Sequence, residues 1–249
     1  MEGMEYFYEL FEALPRGGPG DNVSTRRAYN FITGLPKQPC ILDIGCGPGM
    51  QTIELAKISQ GRIIALDNHQ QFLDTLISNA KKKGVGRQIT PKNQSMLEMD
   101  FKDNTFDLIW SEGALYIMGF QNGLKRCYQL LKSGGYLAVT EVVLLSPDPP
   151  PAVRQFWENE YPAITDIEGN LKLIEKEGLD LISHFTLSKS SWRDEFYSPM
   201  KKTLAVLKKK YSENQSAMSV YESVQNEIDF YTKYSEYYGY EFFVMRKGA

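Results

Sequence analysis

The sequence predicts an α/β fold built on a mostly parallel sheet, and three observations predict it. Short apolar, β-branched stretches alternate with helix-patterned stretches between about residues 39 and 189, the arrangement expected of βαβ units. One of those stretches, 41–44, runs straight into a glycine-rich turn that opens a helix. Acidic residues, Asp43 and Asp67, stand within or at the end of two successive strand candidates.

The strand candidates are 40–44, 62–67, 89–93, 106–110, 136–143 and 181–187, with 240–245 as a closing strand. Helices are expected between them, including 50–59, 70–83 and 123–131, the last stopped by Gly134-Gly135 before the next strand. Ahead of the first strand, residues 16–21 form a loop rich in glycine and proline, with Asp21 or Ser24 placed to cap a helix reaching about Ile32. A proline cluster at 148–151 breaks the pattern, and beyond it aromatics accumulate: Phe156, Trp157, Tyr161, Trp192, Phe196 and Tyr197. From 199 to 238 apolar residues recur at helical spacing (Ala217, Val220, Val224, Ile228, Tyr231), which makes this stretch a helical insertion before the final strand.

A chain of 249 residues can bury one full α/β core, so a single domain is expected, with its core at about 21–187 and 240–246 and the helical insertion at about 188–239. The formal net charge of −3 gives no broad positive field, which disfavours nucleic acid as a partner. The lysine runs 81–83 and 208–210 each close a helix-patterned stretch and read as solvated helix ends. Cys40, Cys46 and Cys127 show no paired spacing, which suggests a reducing compartment and no structural metal. Glu2, Glu5, Glu9 and Glu12 among aromatics are unlike a signal peptide, and no apolar run reaches membrane-spanning length. A cytoplasmic protein with no membrane partner is the expectation.

The chemistry lies in Ile41-Leu42-Asp43-Ile44-Gly45-Cys46-Gly47-Pro48-Gly49-Met50-Gln51-Thr52. Glycines in such a turn let a ligand approach the backbone. Dinucleotide-binding turns use GxGxxG to seat a pyrophosphate; here the spacing is GxGxG, with Met50 at the third glycine position of the dinucleotide pattern. Asp43 would repel a pyrophosphate and favour a cationic group such as the methionyl end of S-adenosylmethionine (SAM). Asp67 follows Gly49 at close to the interval at which an acid meets ribose hydroxyls. A third element, Ser95-Met96-Leu97-Glu98-Met99-Asp100-Phe101, precedes Asn104-Thr105-Phe106-Asp107-Leu108-Ile109-Trp110.

Taken in order, these elements resemble the class I SAM-dependent methyltransferases over about residues 16–145. The stretch Trp110-Ser111-Glu112-Gly113-Ala114-Leu115-Tyr116, with Tyr238-Gly239-Tyr240, looks like a subgroup of small prokaryotic methyltransferases, and ubiquinone- and menaquinone-type enzymes are more distantly similar. The resemblance implies a Rossmann-like fold with an antiparallel last strand and a helical cap. It also implies SAM as cofactor, S-adenosylhomocysteine (SAH) as product, and a small-molecule acceptor. Carried onto this chain, the cofactor cleft would hold Asp43, Gly45, Gly47, Gly49, Asp67, Ser95 and Met96, with their neighbours Cys46, Gln51, Thr52, Asn68 and Ser111.

No catalytic residue is assigned. Glu112, past the fourth strand candidate, reads equally as an acceptor-side group or as a helix-start acid, and Tyr116 would share its face if that segment is helical. His69 and His184 read as structural, and the aromatics beyond Pro151 either line an acceptor pocket or pack the added helices. The position after the fourth strand reads Ser111-Glu112-Gly113-Ala114 in place of the Asn/Asp-Pro-Pro-Tyr/Phe run of base methylases, which marks down base methylation. The rival readings are an NAD-dependent oxidoreductase and a noncatalytic SAM-binding protein. A homodimer is left open.

Overall fold

The strand β1 (Cys40–Ile44) lies inside the sheet, between β2 and β4, and all of it but the half-buried Cys40 is buried. Its side chains alternate between two apolar layers: Ile41 faces one, Leu42 and Ile44 the other. A strand covered on both faces needs such a nearly continuous apolar run, and Asp43 is the one charged residue it admits.

A computed structural model of the chain describes residues 3–248; Met1, Ala249 and Glu2, the first of the N-terminal acids, lie outside the described residues. Helices α1 (Met4–Glu12) and α2 (Asn22–Tyr29) precede β1. Then follow α3 (Met50–Ser59), β2 (Arg62–Asp67), α4 (Gln70–Lys82), β3 (Ile89–Asn93), β4 (Phe106–Glu112), α5 (Phe120–Leu130) and β5 (Leu131–Leu144). Beyond β5 come α6 (Pro151–Glu160), the two-residue β6 (Thr165–Asp166), α7 (Ile167–Lys176) and β7 (Leu179–Thr186). Three helices, α8 (Lys189–Trp192), α9 (Ser198–Lys210) and α10 (Gln215–Tyr234), lead to β8 (Tyr238–Lys247).

The sheet order is β3-β2-β1-β4-β5-β8-β7, with β6 beside the end of β5. All pairs are parallel except those of β8, which runs antiparallel to both β5 and β7. This is the Rossmann-like arrangement expected, closed by an antiparallel last strand. Helices α3 and α4 cover one face through Leu55, Ala56, Leu73 and Leu76, and α5 and α7 cover the other through Leu124, Cys127 and Ile174. A third apolar cluster joins α1, α9 and α10 to Val142 and Tyr238, which are on β5 and β8.

The sequence reading misplaces three boundaries. Gly134-Gly135 does not stop a helix: α5 ends at Leu130, and Leu131 already pairs with Phe106 on β4. The strand register then slips between Phe106 and Leu108, where Gly134 takes a φ of 75°, so the glycines serve a bulge inside β5. The helix capped by Asp21 ends at Tyr29 and does not reach Ile32; Asp21 accepts from Ser24 N at 2.6 Å. The run 199–238 is two helices, because the chain turns at 211–214 and Asn214 caps α10 through Ala217 N at 2.9 Å. Between α8 and α9 the helix widens into a π-turn at Arg193–Tyr197, a local irregularity that re-aims side chains.

No described helix is long and apolar enough to cross a membrane. Among the described residues no cluster of His, Cys, Asp or Glu could hold a metal ion.

One core position is electrostatically unfavourable. Glu141 on β5 is 2% exposed, both carboxylate oxygens lack a hydrogen-bond partner, and burial pushes its carboxyl up to about 8. A carboxyl raised above its unfolded value lowers stability as pH rises from the unfolded pKa to the folded one. Glu141→Gln should therefore leave stability nearly unchanged at pH 4 and raise it by about 3 kcal/mol at pH 8, as read by urea unfolding at both pH values.

Candidate functional site

The turn from β1 to α3 is folded tightly enough to expose its backbone. Gly45 N and Cys46 N both donate to Leu66 O, at 2.8 and 3.0 Å, which ties the turn to the end of β2. Gly47 N donates to Asp67 Oδ2 at 2.8 Å. Gly45 and Gly47 have φ of 69° and 53°, a region that residues with a side chain rarely adopt. A Cβ on Gly45 would fall 2.3 Å from Ala114 Cβ, whereas one on Gly47 would meet nothing closer than 3.8 Å. The first glycine thus admits the β4 loop against the turn, and the second leaves open space beside the backbone.

That space is a cavity of about 560 Å³ over the carboxyl edge of the sheet, where ligands bind in open α/β folds. Gly45, Cys46, Gly47, Gln51, Asp67, Asn68, Ser95, Met96, Glu112 and Tyr116 all line it. Asp67 sits at its edge, with Oδ1 accepting from His69 N at 3.0 Å and Oδ2 from Gly47; burial raises its carboxyl, opposed by those backbone donors. Gln51 Nε2 donates to Cys46 O at 3.0 Å, and Ser95 Oγ caps the short helical turn Met96–Glu98 by accepting from Leu97 N at 3.2 Å.

Four residues expected to touch a cofactor do not line the cavity. Gly49 is a packing glycine, since a Cβ there would lie 2.0 Å from Leu76 Cδ1 on α4. Ser111 is wholly buried and donates to Ile44 O at 3.0 Å. Thr52 Oγ1 donates to Asp43 Oδ2 at 2.6 Å behind the turn, so both groups act beneath the loop. Asp43 is 0% exposed, burial pushes its carboxyl up to about 7, and its Oδ1 has no hydrogen-bond partner.

Glu112 acquires a definite role. Its carboxylate accepts from Arg16 Nη2 at 2.5 Å, Thr25 Oγ1 at 2.7 Å and Trp110 Nε1 at 2.9 Å, and both ionic side chains are 3% exposed. Three donors occupy it, so it fastens the N-terminal segment over the sheet edge and is not a free base. Arg16 brings Gly17, Gly18 and Pro19 to the cavity wall, and its Nη1 is buried without a partner. Asp21 receives a short hydrogen bond from Ser191 Oγ, and Gly20 N donates to Ser191 O at 3.2 Å, which joins the same segment to α8.

Tyr116 lies in the short helical turn Leu115–Met118, 42% exposed into the cavity, with its ring 5.8 Å from that of Tyr161; burial raises its phenol, which stays protonated at neutral pH. The histidines are structural: Tyr8 stacks on His69 at 4.0 Å, and His184 Nδ1 meets Glu241 Oε1 at 2.5 Å.

Sequence reasoning missed Arg16, and it also missed Glu227, which lines the far half of the cavity and accepts from Tyr197 OH at 2.8 Å. The aromatics beyond Pro151 serve both expected roles: Phe156, Trp157, Tyr161, Trp192, Phe196 and Tyr197 all reach this wall, joined by Tyr238 and Tyr240 of β8, and most of them also pack the third apolar cluster. Their crowding after the proline cluster was the available signal. The cavity therefore has a polar half under the glycine turn and an aromatic half under the helices.

Residues 41–135 match the methyltransferase domain family. Among curated proteins, the sterol 24-C-methyltransferases of Eremothecium gossypii and Saccharomyces cerevisiae are each 30% identical, over 112 and 115 residues. Those matches cover 45% and 46% of this chain and 30% of each relative, so the chain spans about a third of the length of these relatives. Among solved structures, a SAM-dependent methyltransferase from Geobacter sulfurreducens in complex with SAH superposes with a TM-score of 0.84 at 18% identity, covering 97% of both chains. The chain has the class I methyltransferase fold, and the family match lies within residues 41–135 of it.

The buried pair generates a stability prediction. Glu112→Gln leaves Arg16 charged and unpaired in the interior, and should destabilise the protein by about 3 kcal/mol. Replacing both as Arg16→Met with Glu112→Gln should recover part of that loss, as measured by denaturant unfolding.

Proposed function

We propose that this chain is a SAM-dependent methyltransferase that methylates a small-molecule acceptor. The observation that carries the reading is one cavity with two chemically distinct halves, a polar half around the glycine turn and an aromatic half beyond Tyr116. The polar half fits SAM. Gly47 leaves its backbone open to a ligand, Asp67 stands at the end of β2 to accept from ribose hydroxyls, and Ser95 and Met96 form a wall suited to an adenine. Arg16 Nη1 is a buried donor without a partner and suits the methionyl carboxylate; the Asp43 carboxyl beneath the turn suits the cationic end.

Bound SAM supplies a methyl group on a sulfonium, which is already activated. The chain's own residues have to orient the acceptor, exclude water and lower the cost of alignment. Helices α1, α6, α8 and α10, with the segment fastened by Arg16 and Glu112, cover the aromatic half and do that work. The aromatic lining suits an apolar acceptor, as the names of the sterol methyltransferase relatives also suggest. An NAD-dependent oxidoreductase fits poorly, because Met50 stands at the third glycine position of the dinucleotide pattern and the Asp43 carboxyl lies beneath the turn that would seat a pyrophosphate. Three free thiols, two of them buried, support a reducing compartment such as the cytoplasm.

Calorimetry should detect SAM and SAH binding, and Asp67→Ala should weaken both by about 1.5–3 kcal/mol, the worth of a hydrogen bond to a charged group. Unchanged affinity would remove Asp67 from the site. Methyl transfer from SAM to any of a panel of small acceptors separates an enzyme from a noncatalytic SAM-binding protein.

The raised Asp43 carboxyl sets a pH dependence. With its pKa at about 7, Asp43 is largely neutral at pH 6 and largely ionised at pH 8. A cationic ligand binds the ionised form better, so SAM affinity should fall as pH drops from 8 to 6, and Asp43→Asn should flatten that dependence in the same calorimetric titration.

A further inference from the structure

The aromatic half of the cavity carries negative charge and no compensating cation. Its rings form a connected wall: Trp157 meets Tyr238 edge to face at 5.0 Å, and Trp192 meets Tyr240 at 4.7 Å. The carboxylates there are Glu160 at the end of α6 and Glu227 on α10, and both present accessible surface to the cavity. Glu227 accepts from Tyr197 OH at 2.8 Å, and no ion pair is formed by either acid among the described residues. Among the described residues no lysine or histidine lines the cavity, and the one arginine that does, Arg16, is committed to Glu112 at the other end.

We propose, resting on the methyltransferase reading above, that the acceptor is an apolar amine bound as a cation. Ring faces attract an ammonium through their quadrupoles, most strongly where water is excluded. A carboxylate among aromatic rings is poorly solvated, and Glu227, which opens onto the cavity, has the neutral Tyr197 hydroxyl and no cation beside it among the described residues. An acceptor bearing a carboxylate or phosphate would meet two acids and no free cation, and is repelled. A neutral hydrocarbon would fill the rings and leave both acids without a counter-charge.

The transfer balances. A secondary ammonium gives one proton to the Glu227 carboxylate; the freed nitrogen lone pair forms the new N–C bond to the methyl as the S–C bond breaks. The products are SAH and a tertiary ammonium, and the proton on Glu227 leaves to solvent when the product does. Glu227 is in this scheme both the counter-ion of the bound amine and the acceptor of its proton.

The test uses the full chain and three probes of nearly equal shape: N-methylphenethylamine, 3-phenylpropanol and 3-phenylpropionate. Each is titrated into the protein with and without saturating SAH, following the fluorescence of Trp157 and Trp192 in the wall. The amine should bind at least tenfold more tightly than the alcohol, and the acid should not bind measurably. E227Q should weaken the amine at least tenfold while leaving the alcohol and SAH unchanged, and E160Q, at the end of α6, should weaken it less. With SAM, the amine should be converted to its N,N-dimethyl product. The proposal is overturned if the alcohol or the acid binds as well as the amine, or if E227Q leaves amine affinity unaltered. Failure of the wild-type protein to bind SAH would instead remove the methyltransferase reading, and the charge preference in the SAH-free titration would still be read.

Discussion

The structure depends on the tie between the turn after β1 and the end of β2. Leu66 O takes the N–H groups of Gly45 and Cys46, and Asp67 takes that of Gly47, so two adjacent parallel strands fix the backbone of one loop. Because the tie consumes N–H groups on the strand side, it holds the loop's other side open to the cavity. The same tie sets where α3 starts, and Gly49 then lets α3 close on α4 at Leu76. An open loop of this kind would be lost if any of these positions required a different backbone conformation, which is why a short stretch of sequence carries so much of the fold's information.

A second constraint assembles the other half of the site. Glu112 ends β4 at the sheet's carboxyl edge, and its three donors come from the N-terminal segment, from α2 and from its own strand. A buried ion pair contributes less to stability than to position, since desolvation offsets most of its attraction. Its consequence here is geometric: Arg16 and the glycines after it are drawn over the turn, and Asp21 is joined to Ser191 at the start of the late helices. The cover and the cofactor side of the cavity are thus mechanically linked through Asp21 and Glu112.

Much of this was legible in the sequence. The first two strands, 40–44 and 62–67, stand where hydrophobic patterning puts them, because strands largely buried on both faces leave a nearly continuous apolar run, and the edge strand 89–93 also lies at its expected place although little of it is buried. The glycine turn and Asp67 were readable because local spacing fixes their geometry. What was not legible depends on distant partners. Gly134-Gly135 looks like a helix stop, and only the pairing of Leu131 with Phe106 makes it a bulge. Glu112 reads two ways in the sequence, and only Arg16, 96 positions away, gives it its role. Ser111, Thr52 and Asp43 have the right spacing for a cleft, yet the alternation of a strand and the turn of a helix send them behind it. Glu227 lies on an amphipathic helix where an acid reads as solvent-facing, and only the packing of α10 over β8 turns that face inward.

The central claim is that one cavity holds a cofactor against the glycine turn and presents its reactive end to an aromatic chamber. A crystal structure of the protein with SAH tests it most directly. The account predicts adenosine along Ser95 and Met96 with its ribose at Asp67, the methionyl carboxylate at Arg16, and the thioether sulfur facing Tyr116 and the rings beyond it. SAH lodged elsewhere on the molecule, or seated on the turn with its sulfur directed away from that chamber, would contradict it.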